Sequence, residues 1–367
     1  MIHYPTTTDT PMLTLTRGSA APGAGPRAGD GLAEAKRLAE RGRDAAQRGS
    51  SNEAIGWFER ALATLDGEQT SELTADVIRW MGTAHRDCGD FAAAERLYQR
   101  SESIARSAGY TLGLAHGANC RGIIAQQRGS LSEAVALYEE SIRQALAAGD
   151  LRLVTMVQLN LGALASTRGD FAEARTRLQH TVDLAEQLRD DDTTSRALNN
   201  LALVHMRERR YDEAEQAYAR VLELAVARGD ALIEGACRLN RSRLLLAAGR
   251  TREAEPECQQ ALEIADRRGD RARRAEGLAV YAAIRRTQGD IDECAASLAE
   301  AATLVLADDD ALISIEVLKE HAELQRARGE NASARSALNE ALTRLIRMGA
   351  VHEAQEVVAR LVALGPQ

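Results

Sequence analysis

Three asparagines stand forty residues apart, Asn160, Asn200 and Asn240, and Asn119 and Asn199 lie one residue ahead of the same register in their own segments. A carboxamide offers both a donor and an acceptor, so it can pair with the C=O and N–H of a peptide whatever that peptide's sequence. Asparagines repeated at a fixed interval therefore form a ladder able to hold an extended chain. The alternative is structural, each amide bonding to a neighbouring segment or a loop carbonyl. Around the ladder, Met156, Leu159, Leu203, Met206, Leu239 and Leu246 make an apolar strip in which Arg196, Arg207 and Arg243 are spaced. Arg43, Arg79, Arg86 and His116 stand toward the N-terminal end, and Glu316, Lys319, Glu323 and Arg326 toward the C-terminal end. An apolar strip with spaced guanidinium groups suits an amphipathic or acidic peptide. For any single arginine the same position also fits a solvated surface.

Residues for covalent or metal chemistry do not gather in the same way. His116 is the histidine of the candidate groove, with no cysteine or paired carboxylate at ligand spacing beside it. His85 and His205 fall where a core aromatic belongs, so packing is expected of them rather than acid–base work. The stretch GAGPRAG near the N-terminus has no strand before it and no GK[ST] after it, which excludes a phosphate loop. Neither a catalytic set nor a metal or cofactor site is expected, and the chain reads as a non-enzymatic binding protein.

The elements that must position these groups follow from an internal repeat. Gly89-Asp90-Phe91-Ala92-Ala93-Ala94 recurs at steps of forty as Gly129 to Ala134, Gly169 to Ala174, Arg209 to Ala214, Gly249 to Ala254, Gly289 to Cys294 and Gly329 to Ala334, and one step back as Gly49 to Ala54. A second turn lies half a period away, at Gly109, Gly149-Asp150, Gly229-Asp230, Gly269-Asp270 and the aspartates 190–192 and 308–310. Glycine takes the left-handed residue that ends a helix, and Asp or Ser caps the next one. Each unit is thus two helices of about 15 to 17 residues joined by tight turns. The Arg-Gly-Asp triplets from Arg168, Arg228 and Arg268 are turn chemistry in this reading, and the aspartate triplets are caps rather than a cation site.

Seven residues before the inner turn comes a small residue: Gly42, Gly82, Gly122, Gly162, Ala202, Ser242, Ala282 and Ala322. Glycine inside a helix costs about 1 kcal/mol against alanine, so its recurrence needs a close helix–helix approach. The facing helix supplies Ala54, Ala94, Ala134, Ala174, Ala214, Ala254, Cys294 and Ala334. Four residues on come larger groups, Phe58, Tyr98, Tyr138, Leu178 and Tyr218 among them, expected to fill the gap to the next unit. Cys237 and Cys258 are expected on facing helices of one unit as buried thiols. Pro256 should kink its helix or make it start late.

Composition agrees. Only Pro256 lies between residues 27 and 365, aromatics are 3%, and alanine is abundant, which permits nearly unbroken helix and excludes sheet cores. The net charge of -8 argues against general affinity for nucleic acid or anionic membrane. Five scattered cysteines without a CxxC pair suit a reduced cytoplasm, and no run of 18 apolar residues could span a membrane. The first thirty residues, rich in Gly, Pro and Thr, lack a signal-peptide pattern and read as a disordered arm.

The repeat resembles the tetratricopeptide repeat, most closely in Ala197 to Asp230, ALNNLALVHMRERRYDEAEQAYARVLELAVARGD. Its period and its lack of a terminal proline resemble the subclass of about 40 residues found in kinesin light chains, MalT-type bacterial activators, spindle-orientation scaffolds and bacterial peptide-pheromone receptors. HEAT repeats share the period but not the turn. The resemblance implies an all-α, right-handed solenoid of antiparallel helix pairs, whose first helices line a concave groove. It also implies asparagine ladders of the kind the pheromone receptors and spindle scaffolds carry. A chaperone-type carboxylate clamp is disfavoured, because its positions hold Thr83, Ile123, Ala163 and Leu203.

The expected organisation is a disordered arm over 1–30 and a solenoid over 31–364, with eight units and a capping helix over 350–364 where Val362 replaces the small residue. The expected function is a cytoplasmic scaffold for a peptide or protein segment, acidic or amphipathic, with no nucleic acid or membrane as partner. Self-association through the solenoid faces is compatible with this. The alternative is a ligand-sensing regulatory module whose superhelix changes pitch on binding; an enzyme built on the solenoid ranks third.

Overall fold

The structure, a computed structural model, describes residues 28–65, 71–308, 311–347 and 350–365. Seventeen helices and no strand occur among them, as the absence of proline and the recurrent turns require. The helices group into two compact units, one up to Val157 and one from Gln158 onward. The first contains α1 (Ala28–Gln47), α2 (Ser51–Thr64), α3 (Glu72–Asp87), α4 (Phe91–Ser107), α5 (Thr111–Gln127) and α6 (Leu131–Ala148). The boundary falls within α7 (Leu151–Arg168). The second continues with α8 (Phe171–Gln187), α9 (Asp191–Arg207), α10 (Tyr211–Arg228), α11 (Ala231–Ala247), α12 (Thr251–Arg268), α13 (Arg271–Gln288), α14 (Ile291–Asp308), α15 (Ala311–Ala327), α16 (Asn331–Arg347) and α17 (Val351–Ala363).

Within each unit a helix packs against the one before and the one after, and first helices of successive pairs also touch, as α3 with α5 and α11 with α13 do. The turns behave as their residues dictate. Gly89, Gly129, Gly229 and Gly269 have φ between 64° and 83°, the left-handed region open to glycine. Asp90, Asp170, Asp230 and Asp270 accept hydrogen bonds from the amides of Ala93, Glu173, Ile233 and Arg273 at 2.9 to 3.2 Å. Each such cap is worth about 1 kcal/mol, which accounts for the Arg-Gly-Asp triplets.

The helix-interior glycines do mark a close approach, but their partner differs from the expected one. A methyl group built on Gly42 would lie 2.4 Å from the Phe58 ring, and on Gly82 and Gly122 it would meet Tyr98 at 2.8 Å and Tyr138 at 2.7 Å. The large residue thus sits on the glycine of its own helix pair rather than in the gap to the next. The rings of Phe58, Tyr98, Tyr138 and Tyr218 are buried core.

Other expectations shift. Helix α1 begins at Ala28, so the last three residues of the expected arm are helical; the rest of the arm, with Asp309 and Asp310 of the last aspartate run, lies outside the described residues. Pro256 does not delay its helix, since α12 starts at Thr251 in register with α10 at Tyr211 and α14 at Ile291. Cys237 and Cys258 are buried but spend their thiols on separate carbonyls, those of Tyr218 at 3.3 Å and Gly277 at 3.4 Å. Burial pushes both thiols up to about 12. No helix among the described residues is long and apolar enough to cross a membrane.

Candidate functional site: the first-helix face of the second unit

Helix α9 is the middle of this face. From Thr193 to His205 every side chain is buried except Arg196, Asn200 and Leu203, and Arg207 follows one turn later, exposed. The spacing of these four, i, i+4, i+7 and i+11, is one stripe of a helix. Met206 beside it is half-buried, its sulfur 3.7 Å from the Tyr218 hydroxyl.

The asparagines divide into two kinds. Asn240 and Asn199 are 3% and 1% exposed, and the Asn240 amide donates to Asn199 Oδ1 at 2.9 Å, tying α11 to α9. Asn160 and Asn200 are half-buried. Arg243 on α11 donates to Asn240 Oδ1 at 3.3 Å and pairs with Glu276 of α13 at 2.8 Å. Glu276, which Arg273 also reaches at 2.6 Å, is buried. Burial opposes its ionisation, but the two arginines outweigh that and hold the carboxyl below its usual range.

A cavity of about 280 Å³ opens beyond Arg243, with Leu246, Val280, Lys319, Glu320 and Arg360 in its wall. It is bordered by α11, α13, α15 and α17, all first helices. Across the same face Arg207 of α9 forms an ion pair with Glu356 of α17, 149 residues away in sequence. A contact between the outer helices with a cavity between the inner ones makes this face concave.

Helix α9 is also where polar satisfaction and backbone ease are poorest. Ser195 Oγ, Asn199 Nδ2 and His205 Nδ1 are buried without a hydrogen-bond partner. Its two bounding turns contain Arg189 at φ 53° and Arg209 at φ 60°, the non-glycine residues with positive φ among those described. Left-handed backbone costs a non-glycine residue about 1 kcal/mol or more, and such strain clusters at functional sites. Behind α9, Leu198, Leu201 and His205 line a second cavity of about 560 Å³ between α8 and α10.

In the first unit the sequence-derived candidates are placed differently. Arg79 and Arg86 are buried, held by Asp76 at 2.8 Å and Asp87 at 2.7 Å. Asn119 is buried on α5. His116 is half-buried, and burial together with the nearby Arg79 guanidinium holds it well below the ordinary imidazole range, so it is neutral. Met156 is half-buried on α7.

Sequence reasoning missed Glu276, Glu356 and Arg360. A signal was present: Glu276, Glu316 and Glu356 stand forty residues apart, an acidic column on α13, α15 and α17 as regular as the asparagines. Among the described residues no group of three or more His, Cys, Asp or Glu side chains is placed to hold a metal ion.

Comparison with known proteins agrees with this architecture. Residues 113–187 and 193–267 match the tetratricopeptide repeat, and the described residues form an all-α solenoid fold of antiparallel helix pairs. Among curated proteins none matches the sequence. The Rap conjugation gene regulator of plasmid pLS20, solved in complex with the Phr* peptide, is similar in structure with a TM-score of 0.60 at 15% identity, over 87% of this chain and 97% of that one. Aspartyl phosphate phosphatase F from Bacillus subtilis gives 0.58 at 10% identity, over 95% of this chain and 97% of that one. A signal transduction ATPase with a tetratricopeptide repeat sensor, from Pyrococcus horikoshii, gives 0.59 at 16%, over 77% of this chain and 44% of that one. At these identities the likeness concerns the fold.

Proposed function

We propose that the concave first-helix face of the second unit binds an extended or amphipathic segment of a peptide or protein, without transforming it chemically. The observation that carries this reading is the α9 stripe: on a helix whose other side chains from Thr193 to His205 are buried, Arg196, Asn200, Leu203 and Arg207 keep their side chains toward the face. The strained turns at Arg189 and Arg209 and the Asn199 Nδ2 group, which has no hydrogen-bond partner, support it, as does the peptide bound by the similarly folded Rap regulator. In this reading Asn160 and Asn200 face the ligand backbone, Leu203 and Met206 its apolar side chains, and Asn199 with Asn240 braces α9 against α11. Arg79, Arg86 and Asn119 of the first unit are framework, and the bound segment is acidic or amphipathic.

The test is selection of random displayed peptides on the full chain, followed by affinity measurement for those recovered. Asn160→Ala and Asn200→Ala should each weaken binding by about 0.5–1.5 kcal/mol, and Leu203→Asp should abolish it. Peptides that bind these correctly folded variants as well as the parent would overturn the reading. A sensing role is favoured by one observation, the Arg207–Glu356 pair that joins the two ends of the face.

A further inference from the structure

Charges on the inner part of this face are neutralised by near neighbours. Arg243 and Arg273 converge on Glu276, Lys319 pairs with Glu316 one turn away at 2.8 Å, and Arg286 pairs with Glu320 at 2.6 Å. Arg207 is different, because its carboxylate comes from the last helix of the unit, four first helices further on. Both partners are substantially exposed, 43% for Arg207 and 36% for Glu356. An exposed pair of this kind is weak, since water solvates each charge nearly as well as the partner does. Arg360, one turn along α17, reaches Glu323 of α15 at 3.6 Å, so the capping helix is held over the face by side-chain charges at two points.

We propose that Glu356 is an internal competitor for the ligand: its carboxylate occupies at Arg207 the place that a carboxylate of the bound peptide takes. The proposal rests on the reading of this face as a binding groove and adds both a ligand group and a regulation. A guanidinium fork receives a carboxylate by two parallel hydrogen bonds, and one partner is exchanged for a chemically identical one. Asn200 and Leu203 lie along the same α9 stripe, within reach of a ligand that carries an apolar side chain beside its carboxylate. Exchange removes one of the two charge contacts that α17 makes across the face, while the apolar packing of Val357 and Leu361 keeps the helix in place. Glu356 also closes the acidic column of Glu276 and Glu316, and it is the member whose cation lies across the groove.

The experiment uses the full chain and two probes, an acetylated and amidated heptapeptide of leucine and alanine with a central glutamate, and its twin with a central glutamine. Binding is followed by fluorescence anisotropy, and the Arg207 guanidinium by the exchange rate of its Nε proton in NMR. In the Glu356→Gln protein the Arg207 proton should exchange faster, and the glutamate probe should bind up to about fivefold more tightly than to the parent, the limit set by an exposed pair. The glutamine probe should show no such gain, and Arg207→Gln should remove it. Equal affinity of the glutamate probe for parent and Glu356→Gln, or an equal gain for the glutamine probe, overturns the competitor while leaving the groove standing. Failure of both probes to bind any of the proteins overturns the groove reading together with it.

Discussion

The two units use the same repeat and pair alike at Arg121 and Arg241, each held by glutamates of neighbouring second helices, but they differ at the arginines of the candidate groove. In the first, Arg79 and Arg86 are buried against aspartates on their own helix, and His116 is half-buried and neutral. In the second, Arg243 and Arg207 take carboxylates from other helices, at Glu276 and Glu356. The repeat sets where a side chain leaves its helix; the neighbouring helix decides whether it becomes framework or surface. Local pairing satisfies a charge within one helix, whereas pairing between helices makes the geometry of the face depend on its charges.

The largest effects should separate the units as folding bodies. Tyr98→Ala and Tyr218→Ala each empty a buried ring site and should cost about 3–5 kcal/mol. Both tryptophans, Trp57 and Trp80, belong to the first unit, so their fluorescence in urea reports that unit while circular dichroism reports both. Tyr98→Ala should shift the fluorescence transition strongly; if Tyr218→Ala shifts it equally, the two units unfold as one and the contrast between them loses its thermodynamic meaning.

Next in size is the contrast between a buried and an exposed ion pair. Glu276→Gln leaves Arg243 and Arg273 facing each other and should cost about 3 kcal/mol. Arg207→Gln should cost less than about 1 kcal/mol. Equal losses in urea titrations would place Arg207 in the framework.

Acid should distinguish the units again. His116 has a folded-state pKa below its unfolded value of 6.5, so the unfolded chain takes up the proton first and stability falls as the pH drops below 6.5. His205 in the second unit, lowered by burial and then by Arg210, gives a weaker response of the same sign. Glu276 is depressed below 4.5, so its contribution is complete above that pH and is lost only as the pH falls through the lower folded value. Tryptophan fluorescence should therefore show the first unit weakening earlier on acidification, and His116→Asn should remove most of that early slope.

The smallest expected effect tests strain. Arg189→Gly and Arg209→Gly should each stabilise the protein by about 0.5–1 kcal/mol in thermal unfolding, because glycine adopts positive φ without steric penalty. Destabilisation by either would mean that the arginine side chain contributes more than its backbone costs.

The helices, turns and ring positions were legible in the sequence because each arises from a local rule repeated at a constant interval. Gly122 and Tyr138 are one example, although the sequence did not show that the ring lies on that glycine. The site was legible only as a register. That Asn240 bonds to Asn199 depends on how far α11 is rotated against α9, and no residue type encodes that rotation. That Arg207 meets Glu356 depends on curvature summed over four helix pairs. His205 shows the same limit. Its counterpart His85 has Asp90 at 3.8 Å from Nδ1, but Arg210 stands at the equivalent turn, so His205 Nδ1 is left without a partner.

The central claim, that the second unit receives its ligand on the α9 stripe, is tested most directly by photo-cross-linking with a selected peptide. A benzophenone amino acid is placed at Leu203 on the stripe or, as a control, at the exposed Val226 at the end of α10. The account predicts an adduct from position 203 that excess unlabelled peptide suppresses, and none from position 226. An adduct from 226 alone, or equal adducts from both, would contradict it.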